Sequence, residues 1–143
     1  MNAKRIVIKS TSGYCPGYLA YKDRLTITPS SISYERIPHF EDDDNLLNRH
    51  EKWLYKTTNE NLTIIFRMIA KAVDEILNRD LVRFWKDIGT TEFIVTYEDG
   101  SKVSRSFELP ATEFDECFKI IREIIPVTEN IPEVIRVDGD CDE

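Results

Sequence analysis

The chain has 143 residues, 41% of them apolar and 10% aromatic, which is the make-up of one core-forming domain and excludes an intrinsically disordered protein. Its formal net charge of −7 argues against binding a bare phosphate backbone or an anionic membrane. A chain this long buries roughly 68–70% of its unfolded surface, so it needs neither disulfides nor a metal to fold.

The charge is uneven. Glu41, Asp42, Asp43 and Asp44 form one acidic run, and Asp138, Asp140, Asp142 and Glu143 form another. Setting these eight aside leaves 18 acidic residues against 19 basic ones, a balanced body with two acidic appendages. Such segments are either solvated and mobile or steer a basic partner by long-range attraction. The first residues carry only three consecutive apolar side chains, too few for a signal-peptide core. The most apolar stretch, residues 62–73, is broken by Arg67 and Lys71, so no segment spans a bilayer. Cys15, Cys117 and Cys141 are odd in number and widely spaced, which fits reduced thiols and a cytoplasmic location.

In chain order, residues 5–9 form a β-branched run and a first strand. Residues 10–17 (STSGYCPG) read as a loop, and residues 18–21 as a short second strand. Residues 25–28 and 32–35 alternate on either side of Pro29-Ser30-Ser31 and make a hairpin. Residues 38–51 read as a mobile acidic excursion. Residues 52–57 (KWLYKT) then place Trp53 and Tyr55 on one face of another strand.

Thr58 and Asn59 are capping residues for a long helix over 60–78, with Leu62, Ile65, Ile69, Ala72 or Val73, and Ile76 at helical spacing. Ile64, Phe66 and Met68 fall outside that stripe, so the helix is expected to be covered on more than one side. Leu81, Phe84, Trp85 and Ile88 repeat the helical pattern before Gly89. Residues 92–97 and 102–109 form a second hairpin through Glu98-Asp99-Gly100-Ser101. Thr112 and Asp115 resemble a capping box for a helix reaching about residue 125. Its buried stripe is Phe114, Cys117, Phe118, Ile121 and Ile125.

These elements predict an α+β fold: an antiparallel sheet of about five to six strands, with a long central helix and a C-terminal helix on one face. Residues 1–137 form the single domain, and 138–143 a disordered acidic tail.

No catalytic motif emerges. His50-Glu51 opens like a zinc-protease helix, but the second histidine would fall at Leu54. A phosphatase loop on Cys15 requires an arginine where Tyr21 stands, and Cys117 sits on a core stripe. Asp138-Gly-Asp-Cys-Asp matches only the start of a calcium loop. We therefore expect no catalytic, cofactor-binding or metal-ligating residues. Tyr14 and Tyr18 flank Cys15-Pro16-Gly17 in a loop that either offers a contact surface or covers the sheet edge. Arg105 shares a strand face with Val103 and Phe107, and either snorkels at the sheet rim or anchors an acidic group.

The segments Lys52-Trp-Leu-Tyr-Lys-Thr, Asp87-Ile-Gly, Thr96-Tyr-Glu-Asp-Gly-Ser-Lys and Glu116-Cys-Phe-Lys-Ile-Ile-Arg-Glu resemble a group of small uncharacterised bacterial proteins of the gut-anaerobe type. The similarity runs over about residues 50–126. It implies a bacterial origin and no particular chemistry.

The expected function is a non-enzymatic, cytoplasmic protein-binding module, with an immunity protein or inhibitor as its subclass by analogy. Tyr14, Tyr18, Trp53, Tyr55, Arg105 and the run Glu41, Asp42, Asp43, Asp44 would carry the contacts, against a partner with a basic surface. Neither nucleic acid nor membrane is expected as a partner. The alternative is a small-molecule sensor with a pocket lined by Trp53, Tyr55, Phe84 and Trp85. An enzyme with an unrecognised acid–base pair comes third.

Overall fold

The computed structural model of the chain describes residues 2–11, 21–38, 50–56, 60–78, 90–107 and 114–124. Six strands and two helices follow in the order β1 (Ala3–Thr11), β2 (Tyr21–Thr28), β3 (Ser31–Pro38), β4 (Glu51–Lys56), α1 (Glu60–Leu77), β5 (Thr90–Tyr97), β6 (Lys102–Phe107) and α2 (Asp115–Arg122). The strands make one antiparallel sheet in the order β4-β3-β2-β1-β5-β6. This is the α+β architecture expected from the sequence.

Period-two alternation gives the sheet its inner face. Ile6 and Ile8, Leu25 and Ile27, Ile32 and Tyr34, and Phe93 and Val95 are all buried on the side that the helices cover. α1 contributes Leu62, Phe66, Ile69, Val73 and Ile76, at alternating steps of four and three residues. α2 adds Phe114, Cys117, Phe118 and Ile121. Phe93 is the centre of an aromatic cluster, with ring centroids 5.1 Å from Phe114, 6.0 Å from Phe107 and 6.3 Å from Phe118.

Both ends of α1 are tied to the sheet. Near its start Thr63 Oγ1 donates to the Pro29 carbonyl in the β2–β3 turn, at 3.4 Å. At its end Arg105 Nη1 donates to the Leu77 carbonyl at 3.2 Å, satisfying an acceptor that a helix C-terminus leaves open. The helix therefore carries the chain back from edge strand β4 to β5, beside β1.

Several expectations change. Tyr21 belongs to the same strand as residues 25–28, so no separate short strand ends there; Tyr18 lies outside the described residues. Pro38 closes β3 and Glu51 opens β4, which trims the acidic excursion at both ends; residues 39–49 lie outside the described part, as does the tail 138–143. Phe66 is inside the buried stripe of α1, whereas Ile64 and Met68 are 57% and 50% exposed. The helix is thus covered on one side, not several, because a stripe through 62, 66, 69, 73 and 76 already fills its contact with the sheet. The N-cap of α2 is Phe114, with no side-chain cap hydrogen bond. Thr112, the segment 79–89 with its helical pattern, and the caps Thr58 and Asn59 lie outside the described residues.

The β5–β6 turn follows the sequence closely. Gly100 N donates to the Tyr97 carbonyl, and Gly100 adopts φ +88°, a conformation that glycine takes without a Cβ penalty. Asp99 Oδ1 accepts from Ser101 N at 2.9 Å and from Ser101 Oγ, fixing the turn.

Candidate functional site

The outer face of the sheet is the most distinctive surface. Both helices lie on the inner side, and among the described residues nothing covers the other one. Its side chains are the alternate residues of each strand, and the register aligns them in rows across the sheet. One row reads Glu92, Lys9, Arg24, Glu35, Lys52 from β5 to β4. The next reads Ile94, Val7, Thr26, Ser33, Leu54. At the far side of that strip, Lys102, Thr96 and Arg5 pair across β6, β5 and β1, and Lys56, Ser31 and Thr28 across β4, β3 and β2. Lys22, opposite Ile37, lies beyond the first row.

Among the described residues the face therefore carries seven cations against two carboxylates, Glu35 and Glu92, a net +5. The other described residues hold a net −3. All seven cations are exposed, and Leu54 and Ile37 protrude at 58% and 47% exposure. Val7, Thr26, Ser33 and Ile94 are half-buried between the charged rows. A shallow depression of about 220 Å³ lies at the charged end, lined in part by Lys9, Lys22, Arg24 and Ile37.

Glu35 is the hub of the first row. His50 Nε2 lies 2.8 Å from its Oε2, and Arg24 Nη2 lies 3.7 Å from its Oε1. The hydrogen bond from His50, with the nearby charges of Lys52 and Arg24, holds the Glu35 carboxyl below the usual carboxylate range. One acid thus organises three basic side chains drawn from β2, β4 and the residue preceding β4.

A second feature is a polar row at one end of the inner face: Ser10, Asp23, Arg36 and Glu51 are register neighbours on four consecutive strands. Asp23 is buried and accepts from Ser10 Oγ at 2.7 Å and from Tyr34 Oη at 2.9 Å. The Arg36 guanidinium, also buried, sits 4.7 Å over the Tyr21 ring. Its Nε and the nearby Trp53 Nε1 are buried donors without a hydrogen-bond acceptor among the described residues. Asp23 and Glu51 are the register neighbours of Arg36 on either side.

A third feature is an open groove of about 910 Å³ between α1 and the β5–β6 end of the sheet. Phe66, Val95, Tyr97 and Val103 give it an apolar floor, and Arg67 and Lys71 stand at its rim.

Of the residues expected to carry contacts, three are described: Trp53 and Tyr55 share one face of β4, and Arg105 lies apart from them. Trp53 packs on Tyr34, with centroids 5.7 Å apart, and Tyr55 is 44% exposed; both lie on edge strand β4. Arg105 lies on β6, the opposite edge, where it binds the end of α1 and covers the Phe107 ring at 4.7 Å. Tyr14, Tyr18, Glu41, Asp42, Asp43 and Asp44 lie outside the described residues. Neither Trp53 nor Tyr55 lines the groove. The outer-face cations were missed because each is an isolated basic residue in the chain. The alternation of Arg5, Val7 and Lys9 was a visible signal, but the alignment of rows across strands depends on register.

Among the described residues, no helix is long and apolar enough to cross a membrane, and no cluster of three or more histidine, cysteine or acidic side chains is placed to hold a metal ion. No family model matches the chain, and no curated protein matches it.

Proposed function

We propose that this protein is a binding module that holds another protein on the open outer face of its sheet. The observation that carries the reading is the +5 face on a chain of net charge −7. The other described residues hold a net −3, so the positive charge is concentrated on this one face. Such a concentration, on a face that no other described residue covers, steers and orients an oppositely charged partner. The protruding Leu54 and Ile37 supply apolar contact beside that charge. The favoured partner is acidic. This differs from the basic partner suggested by the run at 41–44, a proposal that rests on residues outside the described part.

The reading keeps the cytoplasm as compartment, supported by the sparse and odd cysteine count. The bacterial origin implied by the resemblance is compatible with it, and no catalytic step is part of it.

The test is a set of affinity captures from host lysate with three baits. One is the native chain, one carries Lys9→Glu and Arg24→Glu on the outer face, and one carries Arg67→Glu and Lys71→Glu on α1. A stoichiometric partner retained by the first and third baits and lost by the second supports the reading. A partner lost from the third bait but kept by the second contradicts it.

The groove beside α1 favours a second reading, a small-molecule sensor, since its volume lies within the range of about 300–1,000 Å³ typical of ligand sites. A thermal-shift screen in which hits vanish on Phe66→Trp would support that alternative; hits unaffected by the substitution would remove it.

A further inference from the structure

We infer that the partner presents an acidic amphipathic helix, lying between the two basic rows of the outer face with its apolar side on the strip Ile94, Val7, Thr26, Ser33, Leu54. This rests on the binding-module reading and specifies what is bound. The dimensions carry it. Lys9 and Arg5 in β1, like Lys52 and Lys56 in β4, stand four residues apart on the same face. At 3.3–3.4 Å per residue the two basic rows are therefore about 13 Å apart. An α-helix with its side chains is about 10–12 Å across, so it fits between the rows with carboxylates on both flanks. Six strands span five steps of about 4.8 Å, roughly 24 Å, which is the length of about 16 helical residues. Beyond that length, sheet twist turns the rows away from a straight rod.

Competing occupants fit less well. A second copy would bring one +5 face against another. Single-stranded nucleic acid on an open sheet relies on aromatic stacking platforms, yet every described aromatic ring on the strands belongs to the inner face. Glu35 and Glu92 also interrupt the first basic row, setting negative charge where a phosphate backbone or an anionic bilayer would have to lie. A polypeptide meets those two positions with a lysine or arginine of its own. The half-buried apolar and hydroxyl strip matches the hydrophobic side of a helix and offers nothing to a phosphate.

The test uses the full chain, isotopically labelled, and follows its backbone amides during titration. The principal probe is a synthetic peptide of about 16 residues with a leucine stripe flanked by glutamates and by two lysines set to meet Glu35 and Glu92. The comparison probes are the same composition scrambled to destroy the stripe, a polyglutamate of equal charge, a short single-stranded DNA, and anionic phosphatidylserine vesicles. The expected result is a set of shifts centred on Val7, Thr26, Ser33, Leu54 and Ile94, binding about tenfold tighter than the scrambled peptide, and weakening when Lys9→Glu and Lys56→Glu are combined. Equal binding by the scrambled peptide overturns the helix while leaving an acidic-protein face intact. Tighter binding by DNA or vesicles overturns the polypeptide partner. Binding by no probe, together with unchanged captures by the outer-face bait, overturns the binding-module reading itself. If deleting residues 138–143 shifts the strip amides without any probe, the chain's own tail occupies the face, and the external helix is overturned. The scrambled-peptide comparison needs no substituted protein, so a variant that fails to fold leaves the test decisive.

Discussion

Phe93 sits where the sheet, β6 and α2 meet, and three phenyl rings depend on its position. Phe93→Ala is expected to cost about 3–5 kcal/mol, because the cavity is walled by rigid rings that cannot collapse into it. Urea unfolding would show this as a lowered midpoint with unchanged slope. Asp23 is different in kind, since two hydroxyl donors, Ser10 and Tyr34, lose their acceptor in Asp23→Ala. That change is expected to cost about 2–4 kcal/mol, more than removing the same volume from an apolar site. Glu35 governs a pH response. Its folded carboxyl titrates below its ordinary value of 4.5, chiefly through His50, so its favourable contribution is present above that value and fades as pH falls through the folded midpoint. An NMR titration of the carboxyl carbon should place the midpoint below 4.5, and His50→Ala should move it upward.

The β5–β6 hairpin shows how a local signal becomes an element. Asp-Gly between alternating strands required a left-handed residue, and Gly100 is that residue at φ +88°, with open space where a Cβ would point. Gly100→Ala therefore meets only the backbone penalty, about 1–2 kcal/mol, measurable as a small fall in thermal midpoint. The same legibility extended to α1, because a stripe at steps of three and four needs no knowledge of neighbours. It failed for Phe66, Ile64 and Met68, whose burial depends on how the helix is rotated over the sheet. The N-cap of α2 was not legible either: it is Phe114, buried among the Phe93 rings. The candidate surface was the least legible part. Lys9, Arg24, Glu35 and Lys52 lie far apart in the chain and become a row only through three strand registers. The aromatic residues that looked like contacts, Trp53 and Tyr55, were correctly assigned to one strand face, but that face is the inner one.

At the scale of the molecule, topology produces the asymmetry. The first four strands run as a meander, and α1 then returns the chain so that β5 and β6 extend the same sheet. Both described helices pack on one side, so no described element covers the other side with its period-two polar residues. Edge strands β4 and β6 carry Lys52, Lys56 and Lys102, which also discourage edge-to-edge pairing. Because these lysines are exposed and screened, association through this face should weaken steeply as salt rises, with the effect concentrated in the on-rate. The central claim is that an acidic protein presents a basic face. Its most direct measurement is the near-surface potential at each amide, from the relaxation caused by an anionic and by a cationic nitroxide in solution. The expected result is enrichment of the anionic probe over the cationic one along Arg5, Lys9, Arg24 and Lys56. A negative or neutral potential across the outer strand residues would contradict it.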